Sequence, residues 1–308
     1  MLRTLLLELA KSSRLRRWIT SNGVTRGMAR KFVPGEELGP AIDAVRASNR
    51  AGMTASLDHL GENVITREDA ERARTSYTEA LDRIAADGVD SNVSLKLTHI
   101  GLDLDGEFCA QQLRIILRRA DELGNFVRVD MEGSAYTDRT LQMVRQARAE
   151  TAAVGTVIQA FLYRSEEDIR ALLAIGCRIR LVKGAYKEPS QIAFPRKKDV
   201  DANFIKLMKI LLLSGIYHAL ATHDPRMIDA TTRFAAEQNI SKDKFEFQML
   251  YGIRTDLQSR LVKQGYRVRV YIPFGRDWFP YFMRRLAERP ANLLFFAKNF
   301  FRGATPSA

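Results

Sequence analysis

Near the end of the 308-residue chain, Tyr281, Arg284, Arg285 and Glu288 are spaced so that a helix puts them on one side. Two adjacent guanidiniums in an otherwise apolar stretch, residues 277–288, suit a carboxylate ligand, because arginine's planar fork binds one with two parallel hydrogen bonds. A surface salt-bridge cluster has the same spacing, so spacing alone leaves both readings open. A second set of polar residues interrupts short β-branched or apolar runs. Lys96 lies in Val-Ser-Leu-Lys-Leu, Asp130 in Val-Arg-Val-Asp-Met, and Arg180 and Lys183 in Arg-Ile-Arg-Leu-Val-Lys-Gly. Gln159, then Thr222 and His223, close two further runs; Glu246 and Gln248 lie in another, and Tyr271 precedes Pro273 in the last. A charge in such a run is costly to bury unless it is paired or used. A ring of them at one end of a barrel implies a polar ligand, and the excess of cations suits a phosphate, a carboxylate or both.

Other chemistries fit less well. Of the four histidines (His59, His99, His218, His223) none stand at i, i+4, so a zinc site is not expected. Asp130 with Glu246 could in principle hold Mg²⁺, but the surrounding cations argue against it, and no metal is expected. There is no serine elbow, no Walker A loop, and no G-x-G-x-x-G after any candidate strand. The two cysteines, Cys109 and Cys177, are far apart and outside any C-x-x-C, which fits buried thiols in a reducing cytoplasm. A net charge of +12 implies an anionic partner of some kind, but no nucleic-acid motif accompanies it. No run of about 18 apolar residues suggests a membrane span.

The elements that must position these residues follow from periodicity. Strands are expected at 52–57, 92–97, 126–131, 156–160, 178–182, 217–222, 244–249 and 267–272. Helical spacing occupies 68–86, 109–123, 138–150, 166–175, 201–213, 225–238 and 256–264. Eight alternating units predict an α/β fold, a distorted (βα)8 TIM-like barrel with extra N-terminal helices. The expected organisation is an N-terminal helical segment (1–50), a catalytic barrel (51–295) and a tail (296–308). Residues 1–18 mix leucines with basic residues and lack a cleavable leader pattern; they read as an amphipathic helix, packed on the domain or lying on a membrane surface. Residues 293–302, apolar with basic interruptions, carry the same two readings.

Several of these segments resemble the proline dehydrogenase family, in its monofunctional bacterial, FAD-dependent form. They are Ser56-Leu-Asp-His-Leu-Gly-Glu62, Arg180-Leu-Val-Lys-Gly-Ala-Tyr186, Ala221-Thr-His-Asp224, Phe245-Glu-Phe-Gln-Met-Leu250 and Tyr271…Tyr281…Arg284-Arg285…Glu288. The match runs in order from about residue 55 to residue 295. The resemblance implies oxidation of L-proline to Δ1-pyrroline-5-carboxylate by hydride transfer from C5 to flavin N5. It implies FAD as cofactor and a membrane quinone as acceptor, in a cytoplasmic protein, with peripheral contact on the inner membrane face as an open alternative.

The resemblance also assigns roles. Arg284 and Arg285, assisted by Lys96, would hold the proline carboxylate. Tyr271, Tyr281 and Leu250 would shape the pocket. Asp130, Arg180 and Tyr271 would be catalytic, with Arg180 beside the isoalloxazine. Met131, Gln159, Val182, Lys183, Gly184, Ala185, Thr222, His223, Gln248 and Glu288 would line the FAD site, with Arg196 and Lys197 at the diphosphate. Some relatives carry tryptophan where this chain has Lys187; here Lys187 is expected to meet Glu62 as a gate over bound proline. The competing readings are another barrel oxidoreductase or lyase acting on a phosphorylated or carboxylate ligand, and a basic nucleic-acid-binding protein.

Overall fold

A computed structural model describes residues 29–288 of the chain, and side chains as far as residue 285. The expected helix at 1–18, the stretch 293–302 and the Glu288 side chain lie outside the described residues. Eight strands close a barrel in sequence order: β1 (Thr54–His59), β2 (Ser91–Leu95), β3 (Val127–Val129), β4 (Val154–Gln159), β5 (Arg178–Val182), β6 (His218–Ala221), β7 (Phe245–Leu250) and β8 (Arg267–Phe274). Every neighbouring pair is parallel, and β8 pairs back onto β1, with Ser56 opposite Tyr271. All eight expected strands are present. β1 starts two residues late because the turn that ends the preceding helix runs through Met53, whose N–H bonds Ser48 O at 3.0 Å.

Nine helices are described: α1 (Leu38–Arg50), α2 (Arg67–Ala86), α3 (Gly106–Glu122), α4 (Thr137–Glu150), α5 (Ser165–Leu173), α6 (Lys197–Leu213), α7 (Pro225–Glu237), α8 (Thr255–Lys263) and α9 (Trp278–Glu288). Side-chain caps start several of them. Thr66 accepts from Asp69 N, Asp105 from Phe108 N, and Asp224 from Arg226 N ahead of Pro225. α5 has no side-chain cap: Arg164 holds that position, and Ser165 begins the helix ahead of Glu166, Glu167 and Asp168.

Strand alternation sorts the side chains into two environments. Leu57, Val93, Val129, Ile179, Leu181, Leu220, Phe247, Val270 and Ile272 face outward into one apolar core with Ile42, Tyr77, Ile116 and Leu211 of the helices. The inward positions carry Ser56, Ser94, Arg128, Arg180, Glu246 and Gln248, all buried. Barrel interiors are usually filled by bulky branched residues; here the interior is a polar network and the apolar core lies between strands and helices.

The barrel is distorted at the closure. α1, from the N-terminal side, packs against β1 and β8. α9, which follows β8, joins a separate cluster instead: Trp278, Phe279, Tyr281, Phe282 and Met283 pack with Ala29, Val33 and Leu60. Trp278 Nε1 donates to Glu36 Oε1 at 3.1 Å, tying the start of α9 to the N-terminal segment. The two arginines are therefore carried by a helix outside the main core.

Candidate active site

Period-two alternation places Ser94, Arg180, Gln248 and Tyr271 inside the barrel, with Asp130 one residue beyond β3 on the same side. Arg180, 5% exposed, uses its whole fork. Nη1 donates to Asp130 Oδ1 at 2.7 Å, Nη2 to Ser94 Oγ at 2.9 Å, and Nε to Gln248 Oε1 at 2.5 Å. Asp130 Oδ2 accepts from the Tyr271 hydroxyl at 2.8 Å, and the guanidinium lies 5.2 Å from the centre of the Tyr271 ring. Gln248 Nε2 donates to Glu246, which also accepts from Arg269 at 2.9 Å. Both oxygens of Asp130 are thus fixed by charge-assisted or hydroxyl bonds. The Tyr271 phenol is pushed well above its ordinary pKa, by burial first and then by Asp130 and Asp58, so it keeps its proton at neutral pH.

A looser layer lies above. Lys96 Nζ is 3.5 Å from Asp58 Oδ2, and Asp58 is 1% exposed with Oδ1 lacking a hydrogen-bond partner. Burial lowers the Lys96 pKa, but Asp58, then Asp130, Glu62 and Tyr186, outweigh it and hold the ammonium above its ordinary range. Arg284 of α9 reaches Glu62 at 3.5 Å. The Tyr186 phenol, raised by burial and then Glu62, also feels Lys96 and Arg284, so it lies near both cations. Arg285 lies 5.1 Å from the centre of the Tyr281 ring.

The expected gate is corrected. Glu62 pairs with Arg284, whereas Lys187 is exposed and forms no ion pair among the described residues. The loop bearing Glu62 sits on a buried histidine: a Cβ on Gly61 would come 2.1 Å from His99 Nε2. His99 Nδ1 bonds the Tyr77 hydroxyl at 2.9 Å, and burial, then His59 and Lys96, drop its pKa to about 3, so the ring stays neutral.

The remaining expected cofactor residues surround this site at the strand ends, with varied commitments. His223 Nε2 accepts from Leu250 N at 2.9 Å, which fixes the ends of β6 and β7 together. Gln159 donates to Glu132 O at 3.0 Å, and Thr222 Oγ1 accepts from Asp224 N at 3.1 Å. Lys183 is bound by two carboxylates, Asp201 at 2.5 Å and Asp224 at 2.8 Å. Met131 is packed in the main apolar core. Val182 is half-buried and Ala185 exposed. Gly184 takes φ +110, and a Cβ there would run into the Phe161 ring, so its smallness serves packing within the chain. Arg196 pairs with Asp199 on the surface, next to exposed Lys197. Asp58, Ser94 and Tyr186 belong to the site but were not expected there. For Asp58 the signal was available: it shares the inward alternation of Ser56 at the end of a strand.

This geometry matches known proteins. The family profile described as proline dehydrogenase matches residues 41–298. Proline dehydrogenase 1 of Bacillus subtilis strain 168 is 45% identical over 302 residues, covering 98% of this chain and all of the relative. The proline dehydrogenase of Deinococcus radiodurans is 43% identical over 281 residues, 90% of this chain and 91% of the relative. Among solved structures, proline utilization A (PutA) of Bdellovibrio bacteriovorus inactivated by N-propargylglycine superposes with a TM-score of 0.81 at 30% identity, over 86% of this chain and 33% of that longer one. The chain belongs to the proline dehydrogenase family.

Proposed function

We propose that this chain oxidises L-proline to Δ1-pyrroline-5-carboxylate, with FAD held at the C-terminal ends of the strands and electrons passed to a membrane quinone. The observation that carries the reading is convergence: Lys96, one residue past β2, and Arg284 of α9 both act on Glu62 and Tyr186, and Lys96 also on Asp130 of the fixed Arg180–Asp130–Tyr271 network. An amino acid's carboxylate fits between such cations, and the family relationship specifies proline.

The residues fit a flavin. Arg180 and Gln248 supply polar edges, and half-buried Val182, His223 and Leu250 frame them with apolar and ring surfaces. Such a mixture suits a flat cofactor with apolar faces and a hydrogen-bonding rim. Bound FAD would supply the hydride acceptor, taking hydride from proline C5 at flavin N5. The chain's own residues do the rest. Arg284, Arg285 and Lys96 hold the carboxylate and fix the distance of the ring from the strand ends. Tyr271, Tyr281 and Leu250 bound the ring. Asp130, immobilised by Arg180, keeps the Tyr271 hydroxyl oriented. α9 covers the mouth and excludes water. Tyr271 and Lys96 hold their protons through the neutral range, so the acid limb of the rate comes from the substrate amine, which must be neutral for its lone pair to assist hydride departure. Quinone reduction calls for contact with a membrane, and residues 1–18 and 293–302 have the basic, apolar composition for peripheral attachment.

The test is an anaerobic visible spectrum of the purified protein. Flavin bands should be present and should bleach on adding L-proline but not a sugar phosphate, more slowly as pH falls. A flavin-free protein, or bands untouched by proline, would reject the reading.

A further inference from the structure

The N-terminal ends of the same strands carry a second concentration of positive charge. Arg128 of β3 is 4% exposed. Its Nη1 donates to the carbonyls of Thr156 at 3.0 Å and Arg178 at 2.6 Å, while Nε is buried with no hydrogen-bond partner. From it, cations and rings alternate around the barrel mouth. The Arg128 guanidinium lies 4.8 Å from the centre of Phe126, Arg178 lies 5.4 Å from the same ring and 5.8 Å from Tyr217, and Arg267 lies 5.7 Å from Tyr217. Arg178 and Arg267 are exposed, and among the described residues neither forms an ion pair.

Among the described residues no carboxylate forms an ion pair with this row, and Glu246 acts on Arg128 only through space. Glu246, inside the barrel, is taken by Arg269 at 2.9 Å and by the Tyr217 hydroxyl at 3.0 Å, besides Gln248. Asp90 and Asp243 are exposed and act on Arg269 and Arg267 only at a distance. A buried guanidinium without an anion is costly. The strain shows in Arg128, whose pKa drops to about 9, through burial first and then repulsion from Arg180.

Sealing the strand ends would account for one arginine, because Arg128 bonds two carbonyls. It does not account for two more guanidiniums set beside the Phe126 and Tyr217 rings, of which Arg267 also bonds the Tyr217 hydroxyl. Stacking on a ring engages the guanidinium's face and leaves the N–H edges available. Edge donors from several arginines, backed by a buried guanidinium whose Nε has no hydrogen-bond partner, make a receptor for a tetrahedral oxyanion.

We infer that the N-terminal mouth of the barrel binds a phosphate-class oxyanion along the row formed by Arg128, Arg178 and Arg267. The site is at the opposite end of the barrel from the proposed chemistry and does not depend on it. Its occupant neutralises the arginine row and, by binding only the folded chain, stabilises it. The same chemistry is offered by free phosphate, by a phosphomonoester and by an anionic lipid headgroup.

The purified full chain is titrated with inorganic phosphate, and separately with chloride at matched ionic strength, while the thermal midpoint is followed. Co-sedimentation with phosphatidylcholine vesicles carrying phosphatidic acid forms the second arm. Both are repeated on R178Q/R267Q, whose exposed positions should tolerate glutamine, and on R267Q alone. Saturable stabilisation by phosphate beyond that by chloride, weakened about tenfold or more in the double variant, supports the site with a soluble occupant. Vesicle binding that the double variant loses, without a specific phosphate response, supports it with a lipid headgroup. If phosphate and chloride act alike, or neither arm changes in the variants, the inference is overturned.

Discussion

The two mouths of the barrel handle positive charge in opposite ways. At the C-terminal mouth three cations that face the site have a carboxylate: Arg180 with Asp130, Lys96 with Asp58, Arg284 with Glu62. At the N-terminal mouth Arg128, Arg178 and Arg267 meet carbonyl oxygens and ring faces instead. The C-terminal pairs are themselves of two kinds. Arg180–Asp130 is tight, at 2.7 Å, whereas Lys96 and Arg284, two of the three cations assigned to the substrate carboxylate, sit at 3.5 Å from their acids. Short pairing fixes a group permanently; a longer contact keeps a cation charged and oriented while leaving donors for an incoming anion. Built-in counter-charge thus marks the end where a site must stand ready before its substrate arrives.

The strongest way to break the contrast is to strip the tight pair. Asp130→Ala removes the acceptor for both Arg180 and Tyr271 and leaves a nearly buried guanidinium with no anion. Breaking a buried pair from one side costs about 3–5 kcal/mol. We expect kcat/KM for proline to fall by about 10²-fold or more, together with a clear loss of stability in chemical denaturation. Activity and stability both within a factor of a few of the parent would mean that the pair is not the anchor described.

Next in size is the α9 clamp. Arg284→Ala and Arg285→Ala should each weaken proline's transition-state binding by at least about 2 kcal/mol, roughly 30-fold in kcat/KM. The fold should survive, because Trp278, Phe279, Phe282 and Met283 seat α9 in its own apolar cluster. Steady-state kinetics beside a thermal melt separates the two effects. Near-normal kinetics in both variants would detach α9 from the substrate.

How much of this was legible in the chain depends on the range of the interaction involved. Val-Arg-Val-Asp and Phe-Glu-Phe-Gln alternate visibly, so the strands and their polar inward faces could be placed from local pattern alone. The closure could not. Whether α1 or α9 fills the gap beside β8 depends on which apolar stripe fits there, and α9 carries its own partners in Ala29, Val33 and Leu60. Ion-pair partners were likewise hidden. Lys183 was expected to face cofactor, yet Asp201 and Asp224 converge on it from the starts of α6 and α7. Asp58 was hidden because the expected strand 52–57 ends one residue before it, whereas β1 runs on to His59 and gives Asp58 the inward register of Ser56.

The finest test of the comparison concerns Glu62. Local reading pairs it with Lys187, and the fold pairs it with Arg284, 222 residues away in sequence. Both members of the observed pair are about a third exposed, so water and salt screen them, and such pairs are worth about 0–1 kcal/mol. Glu62→Ala should therefore raise the KM for proline by no more than about fivefold, with kcat unchanged, by releasing Arg284 from its oriented position. The effect should shrink at high ionic strength, because the contact is partly solvated. Lys187→Ala should leave KM where it was. A rise in KM for Lys187→Ala equal to that for Glu62→Ala would restore the local pairing and remove Glu62 from the set of carboxylates that balance the C-terminal mouth.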